Sequence, residues 1–159
     1  MPITPVEPGR STLKTVLAVA SKGGHWEQLL LMRPTLDQFD TVYATTGAGY
    51  AARDGLNVHV LPDANRFSGI GVVQCYLAAR KLVQTVRPDV VISTGAMPGL
   101  FCLIAARRIG ARTIWIDSIA NSENSSFSGK LARWCATLWL TQWEHLAKPG
   151  GPHYRGAVF

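Results

Sequence analysis

Acidic residues are scarce in this sequence. Ten Asp and Glu stand against 16 Lys and Arg, and charged residues of both signs make up only 16% of the 159 positions. The resulting formal charge of +6 favours anionic company: phosphorylated substrate, acidic lipid or nucleic acid. The cations recur as Arg80–Lys81, Arg107–Arg108 and Lys130 with Arg133. They do not form the continuous basic stripe with interleaved aromatics of a nucleic-acid groove, so nucleic acid is not an expected partner. Cysteine is limited to Cys75, Cys102 and Cys135, each in an apolar context and none in a CxxC pair. That excludes a disulfide scaffold and predicts buried, reduced thiols in a cytoplasmic protein. The four histidines are scattered, and "LDQFD" (36–40) spaces its acids wrongly for a DxD-like pair, so no metal and no cofactor are expected.

Long apolar runs are missing too. Residues 90–106 are uncharged throughout, but they fall short of the roughly 20 residues a membrane span requires, and "TGAMPG" breaks them. The first 14 residues hold three prolines and no apolar segment, and are expected to be a disordered tail, neither signal peptide nor anchor. Both standard nucleotide fingerprints, GxGxxG and the P-loop, are absent.

What is present is a 47% apolar chain with a repeating rhythm. Short β-rich runs lie at 15–20, 40–46, 57–62, 89–94, 112–117 and 137–142, several without polar alternation, as in strands buried on both faces of a parallel sheet. Helical stretches separate them. Trp26, Leu29 and Leu30 share one side of the first, and Pro34 marks its end. Val73, Leu77, Leu82 and Val86 are spaced as an apolar stripe in the third interval. "PGLFCLIAARRIG" starts on Pro98 and stops on Gly110, and "FSGKLARWCA" supplies a short helix near 127–136. Strands and helices alternating at this spacing predict an α/β, Rossmann-like, doubly wound and mostly parallel sheet, in one domain over 15–148. Sparse charge in such a domain suggests apolar surface covered by a partner or a bilayer.

Ligands of these sheets bind beyond the carboxyl ends of the strands. That rule selects the loops at 21–25, 63–69, 94–99 and 117–129. In the first, Gly23 and Gly24 open backbone amides at a helix start, Lys22 adds charge, and His25 is a candidate general base; a glycine corner with a surface histidine is the alternative. The third loop places Thr94, Gly95, Pro98 and Gly99 at another helix start, where simple turn chemistry competes with ligand binding. The fourth, from Asp117 and Ser118 through Asn121 to Ser128, Gly129 and Lys130, is polar enough for a polyhydroxylated or phosphorylated ligand, or else mobile. Arg66 in the second loop is a phosphate-type donor or a solvated side chain. The segment 149–159, with Tyr154, Val158 and Phe159 near Trp143, either docks a partner or packs back over its own domain.

Taken as an ordered set, "ASKGGHWEQLLLMRP", "PDVVISTGAMPGL", "GARTIWIDSIAN", "SFSGKLARW" and "LWLTQWEHLA" resemble a known family. The family is the acceptor-binding subunit of the two-subunit N-acetylglucosaminyltransferase of asparagine-linked glycosylation, and more closely its bacterial relatives in capsule and exopolysaccharide assembly. The resemblance implies the N-terminal half of a GT-B glycosyltransferase, similar to the enzyme that adds N-acetylglucosamine to the peptidoglycan lipid intermediate. It implies binding of a polyprenyl-diphosphate-linked saccharide and of the cytoplasmic membrane surface, peripherally. The UDP-sugar would be held by a separate donor-binding chain, with inverting, metal-independent transfer only in the heterodimer. By position, Gly23, Gly24 and His25 match the family's Gly-Gly-His turn, with His25 as catalytic base. Arg66 matches its middle-loop basic residue. Thr94, Gly95, Pro98 and Gly99 match the Ser/Thr-Gly…Pro-Gly loop, and Asp117, Ser118, Ser128, Gly129 and Lys130 match the acidic-Ser…Ser-x-Gly-Lys segment. Gln142 and Trp143 match a Gln-Trp pair, which with Tyr154 and Phe159 is expected at the partner interface. Lys22 departs from a usual small residue, and Asp117 and Asn121 replace the Glu and Arg of the eukaryotic branch, whose N-terminal membrane anchor is not expected here. A non-catalytic scaffold that recruits a partner transferase to the membrane is the competing function.

Overall fold

The structure, a computed structural model, describes residues 13–64 and 68–158. All six predicted strands form. In chain order the elements are β1 (Thr15–Ala20), α1 (Gly24–Leu31), α2 (Arg33–Leu36), β2 (Asp40–Thr45), α3 (Tyr50–Asp54), β3 (Val58–Val60), α4 (Gly69–Val86), β4 (Val90–Ser93) and α5 (Ala96–Arg108). Then follow β5 (Arg112–Ile116), α6 (Phe127–Ala132), β6 (Leu138–Thr141), a 3-10 turn (Glu144–Leu146) and β7 (His153–Tyr154). The seven strands are ordered β3-β2-β1-β4-β5-β6-β7, and every pairing is parallel.

Alternation along β1 divides the core in two. Val16, Ala18 and Ala20 face Trp26, Leu29, Leu36 and Tyr43 on the side of α1 and α2. Leu17 and Val19 face the opposite layer, where Cys75, Ala79 and Val83 of α4 meet Leu100, Cys102 and Leu103 of α5. Successive side chains of a strand point to opposite faces, so an apolar run with no alternation is what a strand covered on both sides requires.

Three helices depart from expectation. Pro34 does not end a helix but sits in the first turn of α2, where its missing N–H has no intrahelical partner to lose. α5 begins at Ala96, with Pro98 inside its first turn. In α4 the core stripe is Cys75, Ala79, Leu82 and Val83, while Val73 and Leu77 are more than half exposed. Small Cys75 and Ala79 face inward because α4 packs closely on α5, so bulk alone misplaces the stripe. In the segment after 149, His153 and Tyr154 pair with Leu140 and Thr141 as an edge strand, so this part packs back on its own sheet. The tail expected over 1–14 lies outside the described residues apart from Leu13 and Lys14, and so do Arg66 and Phe159.

All three thiols are buried and free. Burial pushes Cys75 up to about 11, with the Asp63 carboxylate adding to it, and burial likewise raises Cys102 and Cys135. A thiolate is the reactive form, so the native chain is expected to ignore a disulfide reagent at about pH 8, and all three thiols should titrate in denaturant. The unfolded chain ionises these thiols near their ordinary value and the folded chain does so later. Stability should therefore fall as pH rises above about 9, as measured by unfolding against pH.

Candidate active site at the topological switch point

Strand order reverses between β1 and β4, because the chain builds outward through β2 and β3 and then returns by α4 to the other side of β1. The loops leaving β1 and β4 therefore diverge onto opposite faces, and the crevice between them is where an open parallel sheet admits a ligand. α1 and α5 both start here, and the first N–H groups of each helix lack intrahelical acceptors.

The crevice is cross-linked by two reciprocal hydrogen bonds. Nδ1 of His25 lies 2.9 Å from the Thr94 carbonyl oxygen, and the Thr94 hydroxyl donates to the His25 carbonyl at 2.6 Å. A carbonyl only accepts, so the proton of the neutral imidazole sits on Nδ1 and the lone pair is left on Nε2. That is the tautomer of a general base held by a second group, and the carbonyl would stabilise the imidazolium formed when Nε2 takes a proton. Half-buried His25 lies on the first turn of α1, and Thr94 is fully buried.

Gly95 makes room for this ring. Its φ of 143° is one that side-chain-bearing residues rarely adopt, and a Cβ built there would stand 2.4 Å from His25 Nδ1. Ala96 follows at φ 68°, in the left-handed region that L residues avoid, so strain is concentrated at the mouth of α5. One turn further on, a Cβ at Gly99 would meet the Ser93 hydroxyl at 1.9 Å, and buried Pro98 completes the turn. The residues of the 94–99 loop thus hold His25 and bring α5 close to its strand. In the first loop the Gly23 amide donates to the Tyr50 hydroxyl at 2.9 Å, Lys22 pairs with Asp63 at 3.1 Å, and Gly24 opens α1. Lys22 is exposed, and its bonds to Asp63 and to the Thr46 hydroxyl lie on the β2–β3 side of β1.

The 117–129 loop corrects two expectations. Asp117 is 2% exposed, and both its oxygens accept indole N–H groups, from Trp115 at 2.9 Å and from Trp139 at 3.1 Å. It holds two tryptophans and does not meet a ligand. A Cβ at Gly129 would come within 2.3 Å of Asp117 Oδ1, so this glycine lets the start of α6 approach the buried carboxylate. Ser118, also buried, accepts from Gln28 Nε2 at 3.0 Å, and buried Ser128 lies with its hydroxyl 3.5 Å from the Met97 sulfur. The loop is pinned rather than loose: Trp143 Nε1 donates to the Ile119 carbonyl, His145 Nε2 reaches the Ser122 carbonyl, and Asn121 is half-buried. Lys130 alone among the charged residues expected here is exposed.

Gln142 is 3% exposed, so it is not on a partner surface. Its amide nitrogen donates to Gln28 Oε1 at 2.9 Å and to the Asp117 carbonyl at 3.0 Å, and its oxygen accepts from the Val158 amide at 3.2 Å. Trp143 and Tyr154 are half-buried. Sequence reasoning missed Gln28. It follows His25 by three positions, among buried Trp26 and Leu29, and that placement was the available signal. Among the described residues, no group of three or more His, Cys, Asp and Glu is placed to hold a metal, and no helix is long and apolar enough to cross a membrane.

This fold is Rossmann-like, a seven-stranded parallel sheet between two helical layers, and it recurs within longer proteins of known structure. MurG of Acinetobacter baumannii superposes with a TM-score of 0.69 at 15% identity, over 91% of this chain and 45% of MurG. UDP-N-acetylglucosamine 2-epimerase from Rickettsia bellii gives 0.70 at 14% identity, over 92% and 45%, and a glycosyltransferase from Rickettsia africae gives 0.56 at 10%, over 83% and 37%. The chain thus spans less than half the length of these neighbours, and the likeness at such identities is one of fold. No protein-family model matches the sequence, and no curated protein matches it.

Two outcomes follow from the geometry. Gly95→Ala should destabilise the chain by roughly 1–3 kcal/mol and displace His25. Nitrogen-15 NMR at about pH 8, where an ordinary imidazole is neutral, should find His25 protonated on Nδ1 in the parent chain and a mixed tautomer in the variant. Asp117→Asn leaves one indole N–H facing an amide NH2, and should lower unfolding stability in denaturant by roughly 1–3 kcal/mol.

Proposed function

We propose that this chain is the acceptor-binding half of a split GT-B glycosyltransferase. It would work with a donor-binding chain to move a sugar from a UDP-sugar onto a polyprenyl-diphosphate-linked saccharide, in cell-surface polysaccharide or lipid-linked oligosaccharide assembly. The observation that carries the reading is His25, set in the tautomer of a base at the switch point of a sheet shared with sugar-nucleotide enzymes. In this reading Nε2 takes the proton of the acceptor hydroxyl as its oxygen bonds to the anomeric carbon. The bond from that carbon to the phosphate oxygen breaks with inversion, and UDP leaves with the electron pair, held by the partner. The Thr94 carbonyl steadies the imidazolium. Lys22, Gly24 and Asn121 are the acceptor-side contacts, whereas Lys130 lines a separate concavity, and Trp143 with Tyr154 lies on the side given to the partner. The protein would work peripherally on the cytoplasmic membrane face.

A second reading is a non-catalytic scaffold that recruits a partner transferase to the membrane. It is favoured by the exposed apolar residues Ile70, Val73 and Leu77 of α4 and by Trp134, 77% exposed after α6. His25→Ala in the reconstituted pair decides between them. The transferase reading expects kcat to fall about 10²–10⁴-fold with the complex still forming, since that is what a positioned base contributes. An unchanged rate supports scaffolding, and full turnover by this chain alone overturns the split arrangement.

A further inference from the structure

A second concavity lies away from the switch point, on the α6 side of the β6–β7 edge. It is a cavity of about 500 Å³ lined by Lys130, Arg133, Lys148, Trp139, Asn124 and Ser125, with the backbone of Gly150 and Gly151. Its cations come from two separate segments, since Lys130 and Arg133 belong to α6 and its end, whereas Lys148 follows the 3-10 turn. Among the described residues, no carboxylate lines it. Among the described residues, the ion pairs use Lys14, Lys22, Arg33 and Arg53, and none reaches these three side chains.

The turn that carries Lys148 and the Trp139 indole are held in place, whereas the Lys130, Arg133 and Lys148 side chains are exposed. Lys148 sits on a turn closed at both ends, its amide donating to the Pro152 carbonyl at 3.0 Å and its carbonyl accepting from the Gly151 amide at 2.9 Å. Arg133 stacks over the Trp134 ring, 4.7 Å from its centroid. Trp139 is held by its N–H bond to Asp117, and Gly151 lies so near that a Cβ would touch the indole at 3.4 Å. Three like charges around one cavity repel, and the repulsion is relieved by an anion carrying more than one charge. An arginine fork with two ammonium groups and the polar side chains of Asn124 and Ser125 is a donor set suited to phosphoryl oxygens. The volume is that of an organic ligand, and the indole offers a wall for its uncharged part.

We infer that this cavity is a binding site for an organic diphosphate, separate from the crevice of His25. The chemistry is shared by two sources, a nucleoside diphosphate and the diphosphate of a lipid-linked saccharide. The inference does not depend on sugar transfer, because binding needs neither a donor nor a partner chain.

The test is titration of the full chain with inorganic pyrophosphate, followed by calorimetry and by NMR of the indole N–H groups. Pyrophosphate should bind more tightly than phosphate and move the Trp139 signal. Lys130→Gln with Lys148→Gln should weaken it at least tenfold, whereas Arg80→Gln with Lys81→Gln, which removes the same charge from α4, should leave it within twofold. Thermal unfolding of both variants near the parent value establishes that they fold, and Lys148→Gln alone, on an exposed turn, should weaken binding several-fold. UDP and farnesyl diphosphate then distinguish the sources: the tighter of the two names the end of the ligand the indole wall receives, and equal affinity means that the diphosphate alone is read. Absence of pyrophosphate binding, equal weakening by the α4 variant, or shifts confined to residues around His25 would overturn the assignment.

Discussion

Two hydrogen bonds between His25 and Thr94 close the one gap that the strand order opens. A sheet that grows in one direction from β1 and then in the other leaves the β1 and β4 loops diverging, with no pairing between them beyond the strands. The side chain of each residue bonds the backbone carbonyl of the other, so neither can move without breaking both. Net contributions of about 1 kcal/mol per bond are small beside the core, but they are placed where backbone strain has to be opposed. Gly95 at φ 143° and Ala96 at φ 68° are held in that strain by the bonds on one side and by α5 packing on the other. The tautomer of His25 is therefore a consequence of the fold and needs no ligand to set it.

A chain of buried polar groups carries the order outward from this point. Gln28, three residues after His25 on α1, bonds Ser118 and the Ile119 amide, and through Gln142 reaches the Asp117 carbonyl and the tail at Val158. Asp117 then passes the constraint to Trp115 and Trp139. Each of these groups would be costly in an apolar interior if left without a partner, and each has at least one. The network fixes relative positions that apolar packing leaves free, because hydrogen bonds are directional and methyl groups are not.

The fold was legible because its signal is long and redundant. Six strands could be read from short β-rich runs, several of which lack the alternation of a strand exposed on one face. β7 was not legible: two residues directly after a proline carry no periodicity, and their strand character comes from Leu140 and Thr141 beside them. The stripe on α4 was misread because Val73 and Leu77 are larger than Cys75 and Ala79, and close helix packing prefers the smaller side chains. The helix starts beside the crevice were legible in the glycines of the first and third loops and in the spacing of His25. Asp117 and Gln142 looked like surface contacts because polar residues in loops usually are. Asp117 lies two residues after Trp115, on the same side, and Trp139 is the register partner of Trp115 on β6, so strand alternation already brought the carboxylate and both indoles together. Gln142 had no such local signal. Its partners are 114 and 25 residues away, and only the assembled sheet brings them near.

One polar network therefore touches both concavities. Gln28 steadies the helix that carries His25 in its first turn, and Asp117 steadies the indole that walls the cationic cavity, with Gln142 bonded to both residues. In a chain so poor in carboxyl groups, a buried aspartate is an expensive placement unless several groups bond its oxygens. Two indole N–H groups do so here, and the start of α6 comes close enough that only glycine fits at position 129. Among the described residues, no ion pair reaches the three cations across the indole. Negative charge is kept inside, where it organises the wall, and positive charge is left outside, where an anionic ligand can reach it. That division explains how a scarcity of acid in the sequence becomes a property of one cavity.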